Sequence, residues 1–182
     1  MYRIVGALKQ GVETVKQLDL AMTELRKVSD ESSESLRRFE KQSFTMADAV
    51  GTTSQQIIQS TADWQRLGET LSDAKESAQL STMLLNVSEF SGIDAATESL
   101  VAMSQAYKDL EKIQIIDKLN KIGNNFSIST SELAESLQKS AGTLTVAGNS
   151  LDEAIALTVA GVKMPGRYGN IFLRKCLIAL VA

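Results

Sequence analysis

Ser60-Thr-Ala-Asp-Trp-Gln-Arg-Leu-Gly68-Glu-Thr-Leu-Ser-Asp-Ala74 returns eighty residues later as Ser140-Ala-Gly-Thr-Leu-Thr-Val-Ala-Gly148-Asn-Ser-Leu-Asp-Glu-Ala154. Ser60, Gly68, Leu71 and Ala74 are answered by Ser140, Gly148, Leu151 and Ala154, and Leu144 stands where Trp64 stood. Glycine accepts the left-handed conformation that ends a helix. A Thr or Ser two residues on (Thr70, Ser150) can accept the first free N–H groups of the next helix. Ser150 with Glu153 has capping-box spacing, and Thr70 with Asp73 comes close to it. Each copy therefore reads as a helix, a glycine stop, a hydroxyl cap and a new helix, which is an αα-hairpin. Thr52 with Gln55 and Ser129 with Glu132 show the same spacing before the first helix of each copy. The two copies span about 53–78 and 130–158.

Outward from the repeat, the same punctuation continues. Gly51, Gly68, Gly92, Gly123 and Gly148 separate apolar runs, and many of the chain's 33 Ser and Thr residues lie just before those runs. The pattern predicts helices near 8–48, 53–67, 71–89, 95–121, 130–147 and 151–161, with Asp94 capping the fourth and Gly123-Asn-Asn closing it. Within that fourth helix Met103, Tyr107, Leu110 and Ile113 form a stripe leading to Ile116, Leu119 and Ile122, which reads as a core face. No window alternates with strand period, so the class is all-α. The expected architecture is a long coiled-coil-like N-terminal helix followed by a bundle of short helices.

The first fifty residues differ in character. Residues 1–46 hold eight basic and seven acidic side chains. Val15, Leu18, Met22 and Leu25, then Leu36, Phe39 and Met46, recur at coiled-coil spacing. Ser29 and Ser32 occupy the seam between them, so its middle is weak. Glu34 and Arg38 sit four apart in the favourable order. Such a helix is too polar to bury itself and calls for a partner helix. Three segments follow: a charged helix over 1–50, a helical module over 51–161, and an atypical stretch over 162–182. That last stretch has Lys163, Arg167, Arg174 and Lys175, no acid, the only proline (Pro165) and the only cysteine (Cys176). Its basic and apolar halves could lie on a membrane surface or mark a cut or frame-shifted end.

Composition narrows the chemistry. The chain has 182 residues, no histidine and one cysteine, with a formal net charge of -3. That leaves no Ser-His-Asp triad, no ordinary zinc site and no intrachain disulfide. The charge balance speaks against a general nucleic-acid binder, and no apolar run reaches the length of a membrane span. No phosphate loop or nucleophile elbow is present. Asp152/Glu153 and Asp30/Glu31 are neighbours that point about 100° apart on a helix, so they do not converge. Cys176 lies in an apolar run with no base to activate it. No catalytic, cofactor-binding or metal-binding residue is expected, and the chain reads as a non-enzyme. Trp64 is expected to pack between helices.

Four segments carry a resemblance to a known family. They are Thr53 to Ala78, Ile116-Asp-Lys-Leu-Asn-Lys-Ile-Gly-Asn-Asn-Phe126-Ser-Ile-Ser, Glu132-Leu-Ala-Glu-Ser-Leu-Gln-Lys-Ser140-Ala, and Ala147-Gly-Asn-Ser-Leu-Asp-Glu-Ala-Ile-Ala-Leu-Thr158. In this order, over residues 48–161, the chain resembles phage tail tape measure proteins of the minor-tail family found in Gram-positive phages and prophages. Residues 162–182 depart from that pattern, and such proteins are several times longer, so a fragment is expected. The resemblance implies a structural tail protein in the tube lumen, assembled in the host cytoplasm and setting tail length. It implies tail tube and tail-assembly chaperone proteins as partners, and self-association through coiled coils. It implies no nucleic-acid specificity, no small-molecule substrate and no cofactor. The 1–50 helix would be the extended part and 51–161 the folded module. The alternative is a helical protein–protein interaction module, a WXG-type secreted hairpin or a coiled-coil adaptor; against the WXG type, Trp64 stands four residues from Gly68. A lytic tail domain is a third reading, opposed by the missing histidine.

Overall fold

The computed structural model describes residues 2–126 and 128–162, with side chains over 11–126 and 128–161. Among the described residues there are eight helices and no strand. They are α1 (Tyr2–Val28), α2 (Ser33–Val50), α3 (Ser54–Arg66), α4 (Leu71–Asn86), α5 (Ile93–Ala106), α6 (Lys112–Asn125), α7 (Thr130–Val146) and α8 (Leu151–Val162). The all-α reading holds. The chain divides into two compact units, Met1–Thr82 and Met83–Ala182.

In the first unit, α1 and α2 both pack on α3. Glu24 of α1 meets Arg66 at the end of α3, and Gln17 shares a groove with Gln55 near its start, so α1 and α3 run parallel. Met22 and Leu25 of α1, Leu36 and Phe39 of α2, and Ile57 and Ile58 of α3 form the centre of one core. The expected continuous helix over 8–48 is thus two helices, and they fold back instead of extending. The break falls at the serines of the seam. Ser32 takes extended backbone angles and accepts the Ser35 N–H at 3.1 Å, while Ser29 Oγ accepts the Glu31 N–H at 3.3 Å. Short hydroxyl side chains compete with helix backbone in this way, and no apolar seam residue opposes them here.

In the second unit α7 is central, with α5, α6 and α8 packed on it. Leu100 and Met103 of α5, Leu119 of α6, Leu133 and Leu137 of α7 and Ala154 of α8 are fully buried. The expected helix over 95–121 is also two helices. α5 ends on Tyr107, whose N–H reaches Met103 O, and Glu111 opens α6 with its N–H on the Gln114 side chain at 2.9 Å. The reason is geometric. At about 100° per residue, Tyr107 and Ile116 would face opposite ways on one helix. Both are buried, which one straight helix would achieve only with cover on both sides, and the chain turns between them instead. The helix expected over 71–89 stops earlier, at Asn86.

The two repeat copies fold alike. The Gly68 N–H bonds Gln65 O and the Glu69 N–H bonds Trp64 O; Gly148 bonds Thr145 O and Asn149 bonds Leu144 O. Each is a Schellman turn, with φ of 89° at Gly68 and 82° at Gly148. Ser150 and Glu153 close the expected capping box, and Thr70 Oγ1 pairs with both the N–H and the carboxyl of Asp73. Ser129 caps α7 as expected. Before α3 the cap is Thr53 with Gln56, one residue on from the expected pair. Gly51 also ends its helix. Gly92 instead precedes α5 as the N-cap, leaving Asp94 in the first turn. Gly123 lies inside α6. A Cβ there would collide with the Thr130 hydroxyl, so this glycine lets the start of α7 approach.

Candidate assembly surfaces

Met103 and Tyr107 are core. Trp64 is buried, and its Nε1–H donates to Ser81 Oγ of α4 at 3.1 Å, so the expected packing between helices is found. Asp152 accepts from Lys118 at 2.7 Å, and Glu153 serves as a cap. The Ser150 N–H and hydroxyl hold the Glu153 carboxyl below its usual range. Lys27, by hydrogen bond and by charge, and then Arg66 lower that of Glu24. Asp30 and Glu31 sit exposed in the α1–α2 turn. No cluster of metal-ligating side chains occurs among the described residues. Cys176 and the basic residues after Val162 lie outside them.

What the described surface does offer is apolar side chains left out of the core. On the first unit, Val12, Val15 and Leu20 of α1 and Phe44 of α2 are exposed, Val15 by 66%. Phe44 closes an open groove of about 470 Å³ along α2 whose other walls are Glu34, Arg37, Arg38, Glu40 and Lys41. A second groove of about 230 Å³ runs between α1 and α3, from Gln17 and Gln55 to Glu24 and Arg66. On the second unit Val146, at the end of α7, is 81% exposed, and Phe126 and Val87 are partly so. Exposed apolar residues ringed by mixed charges suit protein contacts more than a small-molecule site. Helical periodicity alone did not reveal them, because it does not say which apolar residue the partner helices leave uncovered.

No described helix is long and apolar enough to cross a membrane. The family model for phage-related minor tail protein matches residues 38–180, from α2 through the segment beyond α8. The chain belongs to the phage-related minor tail protein family. It is therefore a structural component of a phage tail, and the all-helical fold accords with a non-enzymatic part. The match takes in residues 162–180, so the composition that set this stretch apart does not put it outside the family. No solved structure matches the chain.

Proposed function

We infer that this minor tail protein works as part of a tape measure, lying in the lumen of the tail tube while tube subunits assemble around it. The observation that carries this reading is the family match, within which a capped helical hairpin recurs eighty residues apart. A length gauge needs a chain whose extent scales with its residue number, and repeated helical modules supply one. A fully helical residue adds about 1.5 Å, and folded-back units add much less. Its partners are then tail tube subunits and a tail-assembly chaperone, met through surfaces such as the Phe44 and Val146 regions. It assembles in the bacterial cytoplasm and ends in the virion. It has no nucleic-acid sequence to read and no small molecule to bind.

The test is a change of length in the gene of the phage that encodes the chain. Duplicating residues 71–150, one repeat period, adds up to about 120 Å if the insert lies extended as helix. Electron micrographs of the tails give the answer. Tails that lengthen support the role. Tails of unchanged length on a stable protein overturn it.

A further inference from the structure

The two helix breaks are not equivalent. Across the turn between α5 and α6, the buried Tyr107 and Ile116 would face opposite ways on one helix. No such change of face separates the buried residues on the two sides of the turn between α1 and α2. Counting in sevens from Val15, the seam positions of α1 are Val15, Leu18, Met22 and Leu25. The same count passes Ser29 and Ser32 and arrives, with no slip, at Leu36, Phe39, Ser43, Met46 and Val50. Leu25 and Leu36 are eleven residues apart, so on one helix they lie within about 20° of each other. A chain designed only to fold back has no need to keep register through its turn. Residues 29–32 contain neither glycine nor proline, and from Asp30 to Ser33 the turn is exposed. Two hydroxyl–amide bonds, on Ser29 and Ser32, and the Leu36 N–H to Ser32 O bond at 3.0 Å hold it locally.

The seam is also longer than its partner within the chain. α3 has 13 residues and α1 has 27. Met22 and Leu25 are covered, Leu18 is half-buried, and Val15 stands in solvent. From Gly11 to Lys16 every side of α1 is exposed. A seam of matching length and register exists in a second copy of the same segment.

We propose that α1 and α2 are a two-state element. In the folded-back state their seam packs on α3. In the other state residues 2–50 form one helix of about 73 Å, paired in parallel register with a second copy that takes the place of α3. Serines at the centre of the seam weaken the paired state while fixing its register, as polar seam residues do. They keep the isolated chain folded back. The inference does not depend on the tail role, because its test uses the purified chain.

The test labels Lys16→Cys and Asp48→Cys, both exposed, in a chain carrying Cys176→Ala, and measures the intrachain distance by pulsed spin resonance. The straight helix sets it at about 48 Å, and folding back makes it much shorter. Ser29→Leu with Ser32→Leu completes the seam. The expected result is a several-fold gain of the long distance, with a mass of two or more chains by light scattering. A helical monomer that keeps the short distance overturns the proposal. Should that variant precipitate, Ile57→Ala with Ile58→Ala weakens the seat on α3 instead. A gain of the long distance then supports the proposal, and loss of helix without that gain overturns it. Adding Glu31→Gly to either variant should restore the short distance.

Discussion

Replacing Gly68 by alanine isolates the backbone cost of the turn that defines both hairpins. Gly68 has φ of 89°, and a Cβ built there meets nothing within 4 Å. No packing clash will therefore confuse the result. Left-handed backbone costs a residue with a Cβ about 1–2 kcal/mol. Alanine also narrows the unfolded ensemble, which gives back part of that. The net loss should be about 1 kcal/mol. For a unit of this size that lowers the melting temperature by about 4–8 °C. Asparagine accepts the left-handed region more readily than alanine, so Gly68→Asn should lose less than half as much. Trp64 is the only tryptophan, it is buried, and its carbonyl receives the Glu69 N–H of the same turn. Its fluorescence during urea unfolding reads the first unit directly. Gly148→Ala should show the same cost in the helical signal of the whole chain. If Gly68→Ala unfolds at the wild-type midpoint, or if alanine and asparagine lose equally, the turn is not what fixes glycine at this position.

Three other substitutions follow from single contacts. Gly123→Ala pushes a methyl into Thr130 and should cost about 1–3 kcal/mol in thermal unfolding, with Thr130→Ala recovering part of the loss. Tyr107→Phe removes a buried hydroxyl that has no partner in hydrogen-bonding geometry, so stability should hold or rise by up to about 1 kcal/mol. Burial raises the Tyr107 pKa despite the nearby Thr145 hydroxyl. The folded state thus keeps this proton longer, and wild type should lose stability above about pH 10 where the Phe variant loses less. The Glu153 carboxylate is favoured by folding through Ser150. Its contribution is complete above the unfolded value near 4.5 and disappears as pH falls through the lower folded value. Carboxyl titration by NMR should find that lower midpoint, and Glu153→Gln should flatten the acid limb of the stability curve.

The parts of the fold that were legible in the sequence are the parts decided by neighbours in the chain. Glycine stops and hydroxyl caps act over three or four residues, so Gly68, Gly148, Ser129 and Ser150 fall where the spacing put them. The α5–α6 turn was not legible. Residues 107–111 contain neither glycine nor proline, and the burial of Ile116 on the opposite side from Tyr107 shows only in the fold. Gly123 looked like a stop because a sequence does not show that Thr130 will arrive beside it. Many other serines and threonines lie inside helices and are buried. Thr61 bonds Ile57 O at 2.7 Å, Thr82 bonds Ala78 O at 3.0 Å and Thr158 bonds Ala154 O at 2.8 Å. This back-bonding lets a hydroxyl enter a tightly packed core without an orphan donor, which is how a chain with few aromatic residues fills its interior. The assembly surfaces stayed hidden for a related reason. Val15 counts as a seam residue until α3 proves too short to cover it, and Phe44 lies off the seam, where the spacing gives no reading.

The two hairpin copies separate what a local motif fixes from what it leaves open. Their backbones make the same two Schellman bonds, yet the side chains around the turn are satisfied differently. In the first copy Glu69, just past the glycine, accepts from Ser77 at 2.7 Å. Its counterpart Asn149 has Leu157 in place of that serine, and its Oδ1 is buried without a partner. Four residues earlier the roles reverse. Thr145 bonds Ala141 O at 2.8 Å, whereas its counterpart Gln65 buries an unpartnered Oε1. A buried polar atom without a partner costs about 1–3 kcal/mol, so neither copy is the ideal form of the motif. The backbone frame tolerates exchange of its side chains because Schellman bonds and caps involve main-chain groups and one hydroxyl. A tail protein built from such frames can alter its surface module by module while keeping each hairpin. Differences in binding should then be sought at exposed positions beside the turns, such as Leu67 and Val146, where the frame places no demand on the residue.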